Sequence, residues 1–105
     1  MSQINNQLNL LGLSLRAGKL VHGDESVEKA IKRHKVRVII LANDVSEATR
    51  ERYQRFAKEY QVPLCDHYSR EEISHAIGKA RAICGISDKG LAKLFLSYQT
   101  GEDDQ

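Results

Sequence analysis

The sequence predicts an α/β fold: a three-layer α/β/α sandwich with a short mixed sheet of about four strands. Along 105 residues, segments with apolar residues at helical spacing alternate with short runs of apolar, β-branched residues. Helices that alternate with strands pack onto both faces of one sheet. With 41% apolar residues, 29% charged residues and one proline, the composition is that of a globular protein. A chain of this length should form one domain, which we place at residues 1–100.

The first two predicted helices are joined by a short extended link. The first helix carries apolar residues at helical spacing and ends where Gly18 suits a left-handed cap. Leu20 to His22 forms the link, and Gly23 or Asp24 caps the second helix, whose end is basic. The apolar residues that define the two helices are Ile4, Leu8, Leu11, Leu15, Val27, Ala30 and Ile31.

The middle of the chain contains the predicted central strand. Val36 to Ala42 is VRVIILA, and such a nearly continuous apolar run is typical of a strand that is buried on both faces. After a turn, Ser46 can cap a third helix. The side chains on one face of that helix are Thr49, Tyr53, Phe56, Ala57 and Tyr60. Val62 to Cys65 forms the next strand, and Pro63, which has no N–H donor, belongs at its start or on a sheet edge.

The last third of the chain predicts helix, strand and helix. Ser69 and Glu72 stand at capping-box spacing before a short fourth helix that ends at Gly78. Ala82 to Ile86 is a strand, and Ser87 begins the last helix. The apolar face of that helix follows the i, i+3, i+4, i+7 pattern through Leu91, Leu94, Phe95 and Tyr98.

Motifs of enzymes and cofactor sites are absent from the sequence. It contains no G-x-x-x-x-G-K-[ST], no G-x-G-x-x-G after a strand and no H-E-x-x-H. The four histidines lack metal-ligand spacing. Cys65 and Cys84 are surrounded by apolar residues in the sequence, which indicates buried thiols of a protein in a reducing cytosol. No secretion signal or membrane span is recognisable. We therefore expect a cytoplasmic protein that is not an enzyme, uses no metal or cofactor, and binds neither a membrane nor a small-molecule substrate.

Positive charge is concentrated between Arg16 and Arg37, which enclose seven basic and three acidic residues. The net charge is +2, but a tail at residues 101–105, predicted to be disordered, holds three acidic residues, so the rest carries +5. Gly23 allows close approach to a helix start with unpaired N–H groups, and Lys29 and Arg33 share a helix face. A solvated helix with acidic residues in its first turn has the same composition. Charge alone therefore does not distinguish a surface that binds an anionic partner from a helix face that is only solvated.

Three stretches of the sequence, together with the order of its elements, resemble a known family. The stretches are RAGKLVHGDESVEKAI at 16–31, VIILANDVS at 38–46 and IGKARAICGISDKGLAK at 77–93. They are similar to those of the kink-turn-binding ribosomal protein superfamily, which includes the large-subunit proteins seven-Ae and thirty-e. The chain more closely resembles the small bacterial YlxQ-type branch. The resemblance covers nearly all of its length.

The resemblance implies an RNA-binding surface in two parts. Family members lay the N-terminus of the second helix against tandem sheared G·A pairs beside a bulge, and a loop after the fourth helix covers an extruded base. The matching positions here are Lys19, His22, Gly23, Asp24, Glu25, Ser26 and Lys29 for the first part, and Ile77, Gly78, Lys79, Ala80 and Arg81 for the second. Lys29 can donate to a guanine edge, and Lys32 and Arg33 would meet phosphates. Many family members have Asn-Glu where this chain has Glu25 and Ser26; an ionised glutamate accepts hydrogen bonds but cannot donate to guanine O6.

Three functional hypotheses follow. The leading one is a non-catalytic RNA-binding protein that recognises and stabilises a kink-turn in structured RNA, in association with the ribosome or with translation. The alternative is a protein–protein adaptor of the translation machinery, in which Glu25 and Glu28 face a basic partner. A small α/β enzyme or nucleotide binder ranks last, because no catalytic set of residues is recognisable.

Overall fold

A computed structural model describes residues 5–101, with side chains up to Tyr98. The elements of this part of the chain are α1 (Asn6–Arg16), β1 (Leu20–His22), α2 (Asp24–Lys32), β2 (Val38–Leu41), α3 (Glu47–Tyr60), β3 (Leu64–Cys65), α4 (Arg70–Ile77), β4 (Ile83–Ile86) and α5 (Lys89–Gly101). Gly101, assigned to the tail by the sequence, thus belongs to the last helix. Two predictions concern residues outside the described part of the chain: Ile4 as a residue of the first helix, and residues 102–105 of the acidic tail.

The four strands form one mixed sheet in the order β1-β4-β2-β3. β4 is antiparallel to both β1 and β2, whereas β2 and β3 are parallel. The predicted link from Leu20 to His22 is in fact an edge strand, with Leu20 opposite Ile86 and His22 opposite Cys84. A segment of three residues is too short for an alternating strand pattern to be recognised in the sequence. Hydrogen bonding to β4, which is distant in the sequence, makes this segment a strand. β3 is the other edge, and Pro63 precedes it, as predicted.

Helices cover both faces of the sheet, which confirms the predicted three-layer α/β/α sandwich. Val38 and Ile40 of β2 pack on the side of α1, α4 and α5, while Ile39 and Leu41 pack on the side of α2 and α3. All four side chains are fully buried, as expected for a central strand. Cys65 and Cys84 are buried free thiols on the α1 side.

The predicted helix ends are confirmed at three positions. Gly18 adopts a positive φ of 72° after α1. Ser46 caps α3 by accepting the backbone N–H of Thr49. Ser69 and Glu72 form the complete capping box of α4. These caps are determined by neighbouring residues, which is why the sequence predicts them well.

Two details of α5 and one of α1 differ from the predictions. α5 begins at Lys89 rather than at Ser87, and it is capped by Asp88, whose carboxylate accepts the backbone N–H of Leu91, while the Ser87 hydroxyl donates to the Lys19 carbonyl. Leu94, which the sequence places on the apolar face of α5, is 41% exposed, whereas Ala92 is buried. The buried face of α5 is the one that packs against α1. α1 contacts both α4 and α5, so it also buries Leu10, beyond the face that periodicity predicts.

One end of the sheet collects the segments that the sequence singles out. β1 ends at His22 and β4 begins at Ile83, and the two strands are antiparallel, so these residues lie at the same end. β2 ends there too, opposite the start of β4. The starts of α2 and α3 and the loop before β4 therefore converge, and we call this region the Gly23 end.

Candidate nucleic-acid interface

The start of α2 is shaped by Gly23. Its φ of 96° and ψ of 145° belong to a backbone region that is essentially restricted to glycine. The Gly23 N–H donates to the Ile83 carbonyl at 2.9 Å, which ties the helix start to β4, and no side chain caps the helix there. The first N–H groups of a helix have no partner within it, and they carry a partial positive charge. Asp24, Glu25 and Ser26, which form the first turn of the helix, are exposed.

The loop between α4 and β4 is held in a fixed conformation. Ile77 is buried, and Gly78 ends α4 in the left-handed conformation with φ 73°. The Ser74 hydroxyl then accepts the Arg81 N–H and donates to the Arg81 carbonyl, both at 3.0 Å. Lys79 and Ala80 lie between these two anchors and are exposed. The loop thus presents Lys79 and Ala80 from a braced backbone.

Arg81 joins the two predicted parts of the surface. Its Nε donates to Nδ1 of His22 at 2.9 Å. A Cβ placed on Gly23 would lie 3.5 Å from the same Nε, so the guanidinium passes directly beside the helix start. The α2 start and the α4–β4 loop, 59 residues apart at this hydrogen bond, form one continuous surface.

The surroundings of His22 at this junction favour its neutral imidazole form. Burial lowers the pKa of His22, and the nearby positive charges of Arg81 and Lys79 lower it further. Nδ1 can accept the Arg81 hydrogen bond only while it carries no proton. The same charges that would attract an anion therefore keep His22 in the state that orients Arg81.

An open cleft of about 450 Å³ lies between the starts of α2 and α3. Three segments and Arg70 line it: Gly23 and Asp24 at the start of α2, Asp44, Val45, Ser46 and Thr49 at the start of α3, and Ala80, Arg81, Ala82 and Ile83 before and at the start of β4. The cleft combines two helix starts with two arginines, two aspartates and small apolar side chains.

Asp24 and Glu28 are engaged by α3. Arg52 binds both carboxylate oxygens of Asp24, at 2.9 and 2.7 Å, and also Oε1 of Glu28 at 3.0 Å. The Tyr53 hydroxyl lies 2.6 Å from Oδ1 of Asp24. The hydrogen bond from Arg52 holds the pKa of Asp24 below its usual range. The charges of these two carboxylates are therefore balanced within the protein, through residues that the sequence did not assign to the site.

The three basic residues of α2 have different surroundings. The Lys32 ammonium pairs with Glu28 at 3.0 Å and lies 5.8 Å from the centre of the Phe56 ring. Lys29 is exposed and forms no ion pair within residues 5–98. Arg33 is the C-cap residue that follows Lys32 at the other end of α2, about 13 Å from the Gly23 end by helix rise.

Lys19 also lies away from the Gly23 end. It precedes β1, and its carbonyl accepts hydrogen bonds from the Ser87 N–H and hydroxyl. The structure thus brings together His22 to Ser26 and Ile77 to Arg81, but places Lys19 and Arg33 at the opposite end of the sheet. The sequence could not indicate that Lys19 and Arg33 are separated from Gly23, because all three belong to the basic run between Arg16 and Arg37.

Other kinds of site find no support in the described part of the chain. No group of three or more histidine, cysteine or acidic residues there could hold a metal ion. Burial raises the pKa of the Cys84 thiol to about 12, which makes it a poor nucleophile. Among the helices of residues 5–101, none has both the length and the apolar content to cross a bilayer.

Comparisons with known proteins agree with the fold and with the sequence resemblance. Two relatives are each named RNA-binding protein YlxQ. The one from Enterococcus faecium is 40% identical over 95 residues, which cover 89% of this chain and 92% of the relative. The one from Bacillus subtilis is 34% identical over 89 residues, which cover 84% of this chain and 89% of the relative.

Solved structures extend the comparison. A Bacillus halodurans protein of unknown function matches with a TM-score of 0.85 and 32% identity, over 89% of this chain and 95% of that one. The Giardia lamblia 15.5kD RNA binding protein matches with a TM-score of 0.75 over 96% and 91% of the two chains; at 15% identity it shows the shared fold alone. The family model described as Ribosomal protein L7Ae/L30e/S12e/Gadd45 matches residues 5–95. The predicted resemblance is confirmed: this chain belongs to the ribosomal protein L7Ae/L30e/S12e/Gadd45 family.

Proposed function

We propose that this protein binds RNA without catalysing a reaction and recognises a kink-turn, in which tandem sheared G·A pairs adjoin a bulge. The observation that carries the proposal is the junction at Arg81, which places the α2 start and the α4–β4 loop on one surface. The name RNA-binding protein YlxQ, which two relatives bear, supports RNA as the partner.

The α2 start suits a distorted RNA element better than a regular duplex. Side chains cannot read the deep, narrow major groove of A-form RNA, whereas a kink opens base edges and turns the backbone. The N–H groups after Gly23 are hydrogen-bond donors for phosphate or base oxygens. The unpaired ammonium of Lys29, one turn further on, donates to guanine O6 or N7. Glu25, if ionised, accepts from a guanine N–H.

The α4–β4 loop supplies the second half of the proposed contact. In our proposal an extruded base enters the cleft of about 450 Å³ beside Ala80 and Ala82, while Lys79 and Arg81 approach the neighbouring phosphates. The hydrogen bonds from Ser74 hold the loop in place before the RNA arrives. Such preorganisation reduces the entropy that binding must overcome.

The adaptor hypothesis is less well supported by the geometry. It needs Glu25 and Glu28 to face a basic partner, but Glu28 already contacts Arg52 and Lys32. Purification from cells with and without ribonuclease distinguishes the two hypotheses. Partners that are lost after nuclease treatment support RNA binding, and partners that are retained support the adaptor.

We place the proposed RNA in the ribosome or in a structured messenger RNA in the cytoplasm, since the family includes ribosomal proteins. Sedimentation of cell extracts tests this setting. The protein should move with ribosomal particles or with messenger RNA, and it should return to the light fractions after ribonuclease treatment.

The central experiment compares two RNAs in a gel-shift assay at one salt concentration. The first RNA contains a kink-turn, and in the second the G·A pairs are replaced by Watson–Crick pairs. We expect much tighter binding to the first RNA, because only the kinked form presents sheared pairs to the α2 start. Equal affinity for both would overturn kink-turn recognition and leave only general attraction to phosphates.

A further inference from the structure

We propose a second phosphate-binding surface at the end of α2 remote from Gly23, which contacts the RNA stem that flanks the kinked element. This proposal rests on the RNA binding proposed above. The surface consists of Lys19, Arg33, Lys35 and Arg37, and we call it the remote basic surface. All four side chains belong to exposed residues.

The remote basic surface is assembled from three separate segments. Arg33, His34, Lys35, Arg37 and Ser87 line an open cleft of about 440 Å³. The Ser87 N–H and hydroxyl bind the Lys19 carbonyl, and this hydrogen bonding brings the start of β1 to the same place. The Arg37 N–H donates to the Ile86 carbonyl at 2.7 Å, so the backbone below the cations is fixed by the sheet.

The four cations have no acidic partner in the described part of the chain. Three other basic residues do: Lys32 pairs with Glu28, Arg52 with Asp24, and Arg50 with Asp66. The nearby Asp88 is used as the cap of α5. The like charges of Arg33, Lys35 and Arg37 around one cleft repel each other, and an anionic partner removes that repulsion.

The cations are not needed to complete the end of α2. Basic side chains near a helix C-terminus often bind its last carbonyls. Here the backbone does so, because the Lys35 N–H donates to the Ala30 carbonyl and the His34 N–H donates to the Ile31 carbonyl, both at 2.9 Å. His34 takes the left-handed position of this motif, with φ 60°, which glycine usually occupies. The charged groups remain free to meet a ligand.

The position of the surface matches a stem that continues from the Gly23 end. α2 spans about 13 Å between the two ends, and Lys29 lies between them on the same helix face as Arg33. This distance corresponds to a few base pairs of a duplex. An RNA element held at Gly23 thus has its flanking stem within reach of the remote basic surface.

The test measures RNA affinity for two kink-turn RNAs, one with a long flanking stem and one trimmed to the kinked core. The double variant Lys35→Ala/Arg37→Ala removes two charges from the surface. The matched control, Arg55→Ala/Lys93→Ala, removes one arginine and one lysine that are exposed and unpaired on α3 and α5. Unfolding midpoints of both variants verify that they fold.

We expect the double variant to lose about tenfold or more in affinity for the long-stem RNA and to lower the salt slope by about two, roughly one for each phosphate contact. It should bind the trimmed RNA like the unmodified protein. An equal loss on the trimmed RNA, an equal loss with the control variant, or no loss on the long-stem RNA would overturn the proposal.

The same measurements separate this proposal from kink-turn recognition. If the unmodified protein binds kinked and fully paired long-stem RNAs equally, while the double variant still loses affinity for both, kink-turn recognition fails and the remote basic surface stands. If the unmodified protein binds neither RNA, both proposals are wrong.

Discussion

At the scale of single residues, Gly23 has a backbone conformation that favours glycine, and it lies beside Arg81. Its φ of 96° disfavours any side chain, and a Cβ there would be in van der Waals contact with the Arg81 guanidinium, 3.5 Å from Nε. Gly18 also has a positive φ, 72°, but has open space around its missing Cβ. A comparison of the two glycines therefore separates backbone strain from the effect of an added methyl group at the proposed interface.

Gly23→Ala should weaken RNA binding, whereas Gly18→Ala should not. Both substitutions place a side chain at positive φ, so we expect each to lower the free energy of unfolding by about 1–3 kcal/mol. Only the first adds a methyl group at the proposed interface, in contact with Arg81. Urea unfolding and RNA titration of both variants provide the measurement, and similar RNA affinities for the two would contradict the assignment of Gly23 to the interface.

Lys29→Ala should reduce affinity for a kink-turn RNA by roughly tenfold, as expected for one lost guanine contact of about 1–3 kcal/mol. The stability of the fold should not change, since Lys29 is exposed and forms no ion pair within residues 5–98. Lys93→Ala, which removes an equally exposed charge on α5, is the control. Unchanged affinity at fixed salt would remove Lys29 from the site.

His22 should make the stability of the protein depend on pH. Its pKa is lowered in the folded state by burial and then by Arg81 and Lys79. The unfolded chain therefore binds a proton more readily, and the stabilising contribution is present above the unfolded pKa of about 6.5 and lost as the pH falls through the folded pKa. Urea unfolding at a series of pH values should show this decline, and His22→Gln should flatten it. Identical pH profiles for the two proteins would contradict the role of His22.

At the scale of the elements, local sequence predicts the helices and the central strand better than it predicts the edges. The caps at Ser46 and Ser69 depend on residues three positions away, so they can be recognised in the sequence. The β1 strand depends on β4, more than 60 positions later, and its three residues show no pattern of their own. The predicted strands are also one to three residues too long, because pairing determines where a strand begins and ends.

Close packing between α1 and α4 should make Gly12 intolerant of a side chain. A Cβ at this position would lie 2.9 Å from the backbone oxygen of Ala76, which cannot move without shifting α4. We expect Gly12→Ala to lower the free energy of unfolding by about 1–3 kcal/mol. In Gly90→Ala the new Cβ meets only the end of the Asp88 side chain, so the change should be smaller. Chemical denaturation of both variants tests this, and a larger loss for Gly90→Ala would contradict it.

At the scale of the whole molecule, charge is arranged along α2 rather than spread evenly. Arg52 neutralises Asp24 and part of the charge of Glu28 from α3, so the first turn of α2 is less repulsive to phosphate than its sequence suggests. Unpaired cations remain at Lys29 and at the remote basic surface. The molecule thus offers positive potential along the length of one helix, although its net charge is only +2.

RNA binding should therefore weaken steeply with salt. Each phosphate contact releases counterions and contributes roughly −0.7 to −0.9 to the slope of log affinity against log salt. Titrations at several salt concentrations measure the slope for the whole surface. A slope near zero would mean that the interface makes no phosphate contacts, in conflict with both proposals.

The sequence by itself determined the α/β/α class, the helices with their caps, the doubly buried central strand and the family. These features depend on periodicity and on residues a few positions apart. Three features became visible only in the folded molecule: the pairing of Leu20 to His22 with β4, the hydrogen bond from Arg81 to His22, and the ion pair of Arg52 with Asp24. Each joins segments that are distant in the sequence, 59 residues apart for Arg81 and His22 and 28 for Arg52 and Asp24. The fold likewise places Lys19 and Arg33 at the end of the sheet opposite Gly23. Packing of the core sets which side chains meet, and no local pattern encodes that choice.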